Sequence, residues 1–381
     1  MVSVTPVTGR RVLMLLVNAC NPDWRVLKEA TTLVAAGASV TILAWDREGG
    51  VQPSEVRDGV VIERIHIPRP HRSLAGKMVS SGRVWRAFWQ RARALTFDTV
   101  HAHDFTMLPI GVAIATRRRV PLVYDAHEIY WLMVRASTPR ALQLGMRRTE
   151  IALLSRVDRL ITVSGHLADY FGRHHGDVTV VGNWYNPTAV DARAGQHVRA
   201  DLGIPDDAFC IACIGSLGPE RMHSLLIDYA AAYPDTAILI AGRGAGEGAV
   251  CEAAGRLPNV HFAGWRSNPD PLYAAADALF YGLDSDDPYS KISSPNTLFL
   301  SIARQIPLIT TPTGEAGTLI AQSGAGEVLR PATVAAMRTA VEHLREASRR
   351  EQVRTSLATL QDRYSWDRAA EELVGVYASL L

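Results

Sequence analysis

The fold is decided by residues 11–45, which read RVLMLLVNACNPDWRVLKEATTLVAAGASVTILAW. Two short apolar runs, 11–17 and 39–45, flank a stretch with helical periodicity, 23–36. The residue after that stretch is Gly37, a residue type that commonly ends a helix. The pattern predicts a strand, a helix and a second strand, the unit from which parallel sheets are built.

The same alternation continues along the chain and predicts an α/β fold. Further strands are expected at 60–67, 98–102, 120–125, 158–163, 209–215, 236–241, 258–262, 277–281 and 306–310. Residues 183–205 are rich in Asn, Gly and Pro and are interpreted as a linker. We expect two doubly wound Rossmann-like domains facing a central cleft. The predicted bounds are 1–190, 191–363 and a C-terminal helix, 364–381, that packs back on the first domain.

Composition limits the function. Of 381 residues, 48% are hydrophobic and the formal charge is +2, which excludes a mainly disordered chain and a general polyanion binder. No apolar run approaches the roughly 18 residues that a membrane span needs, so a cytoplasmic protein is expected. The stretch 69–97 is basic and carries Trp85, Phe88 and Trp89. We interpret it as a helix with an aromatic core face; membrane contact is the weaker alternative, and nucleic-acid binding is not expected.

Polar clusters follow the predicted strands of the first half. The loop 18–23, which contains Asn18 and Asp23, has no glycine, so a dinucleotide site is not expected there. The sequences His-Ala-His-Asp at 101–104 and Asp-Ala-His-Glu at 125–128 each end an apolar run. Parallel strands would bring these two clusters to the same edge of the sheet. They have the residue types for a metal site, and equally for hydrogen bonds to the hydroxyls of a polar ligand.

The second half carries features typical of phosphate binding. Ser294 and Pro295 suit the start of a helix, whose free N–H groups attract anions. Arg221 would add a full positive charge. The candidate residues in this half are Gly215, Ser216, Arg221, Gly242, Gly244, Ser294, Asn296 and Thr297. The acidic loop with Asp284, Asp286 and Asp287 is interpreted as solvated or as acceptors for donor hydroxyls rather than as a metal site.

Together these segments resemble the GT-B fold and the family-four retaining nucleotide-sugar glycosyltransferases. The resemblance implies an acceptor-binding first domain, a donor-binding second domain, a nucleotide-sugar co-substrate and no metal or other cofactor. It implies that His127 lies near the reacting carbon and that Arg221 binds the donor diphosphate. Catalysis is expected to involve His127, Glu128 and His103. Acceptor contacts, from a small molecule or a glycan, are expected at Asn18, Asp23 and Asp104.

The chain departs from the family pattern at three positions. Ser216 stands where an arginine is expected, and Ile292 and Leu300 stand where the family carries two glutamates for the donor. An active glycosyltransferase remains the preferred interpretation, with an unusual donor or with backbone contacts to the ribose. Two alternatives stay open: a non-catalytic GT-B partner protein and a GT-B nucleotide-sugar epimerase.

Overall fold

The structure, a computed structural model, describes residues 7–68 and 74–380, with side chains from Gly82 onward in the helix that begins at Leu74. The chain divides into two compact units. Unit 1 contains Met1–Gly182 and Asp367–Leu381, and unit 2 is the single stretch Asn183–Trp366. The expected boundary at 190/191 therefore falls inside unit 2.

Unit 1 is built on an eight-stranded sheet in the order β3-β4-β2-β1-β5-β6-β7-β8. Its strands are β1 Arg11–Leu16, β2 Ser39–Asp46, β3 Ser54–Arg57, β4 Val60–His66, β5 Thr99–His103, β6 Leu122–Ala126, β7 Arg159–Thr162 and β8 Val178–Val180. Its helices are α1 Trp24–Ala35, α2 Leu74–Ala94, α3 Asp104–Arg118, α4 Tyr130–Met133, α5 Arg140–Leu154 and α6 Gly165–Phe171. All neighbouring strands are parallel except the β3–β4 pair, which is antiparallel. Central strands such as β1 are almost continuously apolar because helices cover both faces of the sheet.

Unit 2 is built on a six-stranded parallel sheet in the order β11-β10-β9-β12-β13-β14. Its strands are β9 Phe209–Ser216, β10 Thr236–Arg243, β11 Val260–Phe262, β12 Ala278–Tyr281, β13 Leu308–Thr310 and β14 Gly326–Val328. Its helices are α7 Ala192–Leu202, α8 His223–Ala232, α9 Glu247–Arg256, α10 Asp270–Ala274, α11 Asn296–Arg304, α12 Gly314–Ser323, α13 Val334–Arg345 and α14 Ala347–Arg363. The α/β fold with two parallel-sheet domains is thus confirmed.

The last helix, α15 (Trp366–Ala378), packs on unit 1. The Tyr377 hydroxyl lies 2.7 Å from His101 Nδ1, and Arg159 Nε donates to Ser379 Oγ at 2.9 Å. Both Tyr377 and His101 are completely buried. The helix α15 therefore contributes a side chain to the interior of unit 1.

Sequence reasoning missed several elements. It missed β3, β8 and β14, which are only three or four residues long. The linker interpretation of 183–205 is wrong for its second half, because α7 occupies Ala192–Leu202. Asp191 accepts hydrogen bonds from the first N–H groups of α7, and Gly203, with a φ of 70°, ends the helix. Glycine is common in loops, but it also ends helices, as Gly203 does here.

Within the basic stretch, Leu74–Ala94 form α2, and the described side chains of this helix divide into two faces. Val84, Phe88 and Ala92 are buried, whereas Arg83 and Arg86 are exposed. Of the predicted aromatic core face, Phe88 is buried, whereas Trp85 and Trp89 are only partly buried. Arg69 and Arg72 lie outside the described residues. No helix in the described part of the chain is long and apolar enough to cross a bilayer. The cytoplasmic location stays a prediction.

Candidate functional site

In unit 1 the two predicted polar clusters meet at the carboxyl ends of β5 and β6. His103 and Asp125 are register partners on the two strands, and His103 Nδ1 lies 3.2 Å from Asp125 Oδ2. The same oxygen lies 2.8 Å from His127 Nε2. Asp125 therefore holds both histidines, as the shared strand edge predicts.

His127 carries a positive charge. Its Nδ1 lies 3.4 Å from Asp104 Oδ2, while its Nε2 donates to Asp125. Burial alone would lower the pKa of His127, but the two carboxylates outweigh it and raise the pKa to about 10. The side chain is 20% exposed, so a ligand can reach this imidazolium. It can donate hydrogen bonds or stabilise negative charge, but it cannot accept a proton at neutral pH.

Asp104 reaches His127 from an unusual backbone conformation. Asp104 begins α3 directly after β5, and its φ of 63° lies in the left-handed region. Such a conformation costs a non-glycine residue roughly 1–2 kcal/mol. Strain of this kind persists where the surroundings hold a residue in place, and it is common at functional sites.

A buried arginine that sequence reasoning missed anchors the cluster. Arg25 on α1 pairs with Asp125 through Nε at 3.2 Å and Nη2 at 2.9 Å. Its Nη1 donates to the Val181 carbonyl at 2.8 Å. Its Nη2 also lies 3.0 Å from Glu29, one turn later on the helix. The signal was present: a charged pair at i and i+4 borders the apolar stripe of α1.

The buried carboxylates differ in their ionisation. Burial acts to raise the pKa of Asp125, but Arg25 and His127 hold it well below its usual range. For Glu29, burial outweighs the attraction of Arg25 and raises the pKa to about 7. Asp125 is therefore a permanent anion of the cluster, whereas Glu29 gains or loses a proton near neutrality.

The cluster does not fit a metal ion, although Glu29, His101, His103 and Asp125 have ligand atoms within 4.8 Å of one another. The rings of His101 and His103 are stacked, with centroids 4.2 Å apart and planes 20° apart. In-plane lone pairs of stacked rings cannot meet at one ion. The guanidinium of Arg25 already lies between Glu29 and Asp125, as its distances to both show. Hydrogen bonding to a polar ligand fits better.

The remaining predicted residues of unit 1 have mainly local roles in the structure. The amide of Asn18 donates to Asp23 Oδ2 at 2.8 Å, and its carbonyl accepts from the Cys20 N–H. Asp23 caps α1 by accepting from the Val26 N–H. Glu128 is partly buried directly after His127. Acceptor contacts for Asn18 and Asp23 and catalysis by Glu128 stay predictions.

Unit 2 contains a cavity of about 590 Å³ at the carboxyl ends of its central strands. The predicted residues in its wall are Gly215, Ser216, Arg221, Gly242, Asn296 and Thr297. A Cβ on Gly242 would lie 1.8 Å from the Gly215 carbonyl oxygen, so this close strand pair requires glycine. The cavity has the size and position of a ligand site in an open α/β sheet.

The wall of this cavity is cationic. It contains Arg221, Arg243 and Arg266, and among the residues that the structure describes it contains no Asp or Glu. The Arg221 guanidinium lies 4.2 Å over the Tyr281 ring, and that of Arg243 lies 4.1 Å over the Trp265 ring. This electrostatic character suits a polyanionic ligand such as a diphosphate.

The first turn of α11 faces this cavity through Pro295, Asn296 and Thr297. The prediction that Ser294 caps the helix is wrong: Pro295 holds the cap position and no side chain caps the helix. The Ser294 hydroxyl lies instead beside Glu315, whose pKa burial raises to about 7. The uncapped N–H groups of α11 are consequently open to an external anion.

Besides Ser294, four predicted donor residues lie outside the wall of this cavity. A Cβ on Gly244 would meet the Leu217 carbonyl, so Gly244 serves backbone packing. Asp284 lines a separate cavity of about 330 Å³. Asp286 donates its N–H to Asp284, and Asp287 accepts from the N–H and hydroxyl of Ser290. These residues do not line the main cavity, and their contacts with a donor stay predictions.

Comparison with known families decides the identity. Residues 22–184 match the family described as "Glycosyl transferase 4-like domain", and residues 208–347 match "Glycosyl transferases group 1". The two matches coincide with units 1 and 2 and together cover most of the chain. The chain belongs to the glycosyltransferases. Its family-four-like character, expected from the motifs, is confirmed.

Curated relatives of this glycosyltransferase are identical to it at about a quarter of the aligned positions. A D-inositol 3-phosphate glycosyltransferase of Mycolicibacterium gilvum is 26% identical over 58% of this chain and 53% of its own length. One of Segniliparus rotundus is 24% identical over 74% of this chain and 66% of its own length. The alignments therefore span between half and two thirds of these relatives.

Solved glycosyltransferase structures share the fold. The sucrose-phosphate synthase of Thermosynechococcus elongatus superposes with a TM-score of 0.76, 16% identity and coverage of 97% of this chain and 99% of its own. Anabaena HepE, solved with UDP and glucose, gives a TM-score of 0.73 at 15% identity and covers 97% of this chain and 100% of its own. The glycosyltransferase has the GT-B fold.

Proposed function

We propose that this glycosyltransferase moves a sugar from a nucleoside-diphosphate sugar to an acceptor hydroxyl. The observation that carries the proposal is the cationic cavity of unit 2, where Arg221 and the open first turn of α11 share one wall. The charge that develops on a departing diphosphate needs such fixed donors. Structures of HepE with UDP and with UDP-glucose support this class of donor.

Transfer is proposed to retain the anomeric configuration. An inverting transfer needs a base that removes the acceptor proton on the face opposite the leaving group. His127 is already protonated, and Arg25 and His127 hold Asp125 as a paired anion. We therefore assign the acceptor proton to the departing phosphate oxygen, on the same face as the breaking bond. The new C–O bond forms as the sugar–phosphate bond breaks, and the products are the glycoside and the nucleoside diphosphate.

The proposal predicts that nucleoside diphosphates raise the unfolding temperature and that Arg221→Ala weakens their binding about tenfold or more. Charge-assisted hydrogen bonds contribute roughly 1.5–3 kcal/mol each, and about 1.4 kcal/mol corresponds to tenfold in affinity. The measurement is isothermal titration calorimetry on the intact chain. Arg354→Ala is the matched control, because Arg354 pairs with Glu351 on the surface of α14.

Product analysis separates the proposed transfer from its alternatives. The expected products are a glycoside and a nucleoside diphosphate, with the anomeric configuration read from the proton coupling in NMR. Conversion of the donor sugar without transfer would indicate an epimerase. Binding of no nucleoside diphosphate at all would indicate a non-catalytic protein with this fold.

A further inference from the structure

The first half of α11 lines the cavity of unit 2 through Asn296, Thr297 and Leu300. Asn296, Leu300 and Arg304 are spaced four residues apart and therefore lie on the same side of the helix. Asn296 and Leu300 are both in the cavity wall. The Arg304 guanidinium lies 4.9 Å over the ring of Tyr273, which is also in the wall. The cavity consequently extends from the helix start, past Leu300, toward Tyr273.

We place the pentose of a bound nucleotide beside Leu300. With a rise of 1.5 Å per residue, Leu300 lies about 6 Å along the helix from Asn296. In a nucleoside diphosphate the pentose follows the phosphates by one C–O–P linkage. A diphosphate at the start of α11 would therefore place its pentose beside Leu300, with the base toward Tyr273 and Trp265.

The wall beside Leu300 is mainly apolar. Leu300 is partly buried against the unit 2 core, and Leu272 and Pro269 add apolar surface to the same cavity. No carboxylate is among the described lining residues. A hydroxyl buried against apolar side chains loses its bonds to water without replacement, which is unfavourable. A methylene group at the same place has no hydrogen bonds to lose and gains apolar contact.

We propose that this site selects donors whose pentose is 2′-deoxyribose, that is, 2′-deoxyribonucleoside diphosphate sugars. The 3′-hydroxyl is present in ribose and deoxyribose alike, so discrimination rests on the 2′ position beside Leu300. This inference rests on the proposed function, because it assumes a diphosphate at the start of α11.

The test compares matched nucleotide pairs on the intact chain by isothermal titration calorimetry. The pairs are UDP and dUDP, ADP and dADP, GDP and dGDP, and CDP and dCDP, with dTDP added. For each base that binds, the deoxy member is expected to bind about tenfold more tightly, which corresponds to one unsatisfied hydroxyl. Ribonucleotides that bind equally well or better would overturn the inference while leaving the proposed function intact. If no member of any pair binds, the proposed function itself fails.

Two substitutions at Leu300 assign the preference to this side chain. Leu300→Glu supplies a carboxylate acceptor and is expected to reverse the preference in favour of the ribonucleotide. Leu300→Met keeps an apolar side chain of similar volume and is expected to keep the preference for the deoxynucleotide. Circular dichroism melts establish that both variants are folded. An unchanged within-pair ratio in folded Leu300→Glu would contradict the assignment.

Discussion

His127 is charged at neutral pH because each of its two ring nitrogens faces a carboxylate. Asp125 is the nearer partner, at 2.8 Å, and Asp104 is the second, at 3.4 Å. The histidine in this site is therefore a fixed cation that can support a developing negative charge. Its neighbour His101 behaves oppositely: complete burial, with the nearby His103, lowers its pKa well below the ordinary value and keeps it neutral.

The charge of His127 gives stability a defined pH dependence. The folded pKa is about 10, above the ordinary value of 6.5. The folded state therefore binds this proton more tightly than the unfolded state does. The stabilisation is complete below about pH 6.5 and is lost as the pH rises through about 10. Histidine NMR titration of the intact chain should show one ring that stays protonated across the neutral range.

Asp104→Asn removes one of the two charges that raise the pKa of His127, and the NMR midpoint should move to lower pH. Asp169→Asn serves as a control, because Asp169 lies on α6 outside the cluster. A His127 midpoint that does not move in Asp104→Asn would contradict the pairing described here.

At the scale of elements, Arg25 connects a helix to two strands. From α1 it contacts Asp125 on β6 and the carbonyl of Val181, the residue after β8. One guanidinium therefore donates to the Val181 carbonyl and pairs with the Asp125 and Glu29 carboxylates. Its removal would leave the Asp125 and Glu29 carboxylates buried without that partner.

Arg25→Met should lower the free energy of unfolding by roughly 3–5 kcal/mol, the usual cost of breaking a buried ion pair by removing one partner. Urea denaturation followed by circular dichroism measures the change. Arg354→Met, at an exposed ion pair, should change the free energy of unfolding by less than about 1 kcal/mol. Similar losses in both variants would show that Arg25 does not anchor the cluster.

Strand order and strand-end position explain which site residues the sequence could reveal. His103, Asp125 and His127 follow apolar runs, and parallel strands must bring such ends to one edge. Arg25 and Tyr377 could not be placed this way. The direction in which α1 presents Arg25, and the docking of α15 that brings Tyr377 to His101, depend on tertiary packing. Pattern alone also could not separate Asp284–Asp287, which closely follow β12, from the wall of the cavity.

At the scale of the whole molecule, the two units have different charge environments. Unit 1 buries carboxylates and histidines in one network, whereas the cavity of unit 2 exposes arginines without a lining carboxylate among the described residues. This division is the reason for proposing that the polyanionic nucleotide binds in unit 2. It also predicts which part of the chain a bound nucleotide stabilises.

Hydrogen exchange measured by mass spectrometry should show the nucleotide in unit 2. A nucleoside diphosphate at 100 times its Kd stabilises the bound state by about 2.7 kcal/mol. Protection is expected in peptides that contain Gly215, Gly242 and Asn296. Peptides from the β5–β6 cluster provide the internal reference. Protection concentrated in that cluster and absent around Asn296 would place the nucleotide elsewhere.

The docking of α15 on unit 1 makes unit 2 an insertion between two parts of unit 1. Residues 183–366 therefore form one continuous stretch with two joints to unit 1, at Gly182/Asn183 and, in the first turn of α15, at Trp366/Asp367. A chimera with a single crossover would combine most of unit 1 with the last helix of another protein. His101 would then pack against a helix other than its own α15. If unit 2 binds the donor as proposed, exchange of donor specificity that keeps unit 1 intact, in the laboratory or in evolution, needs two joints.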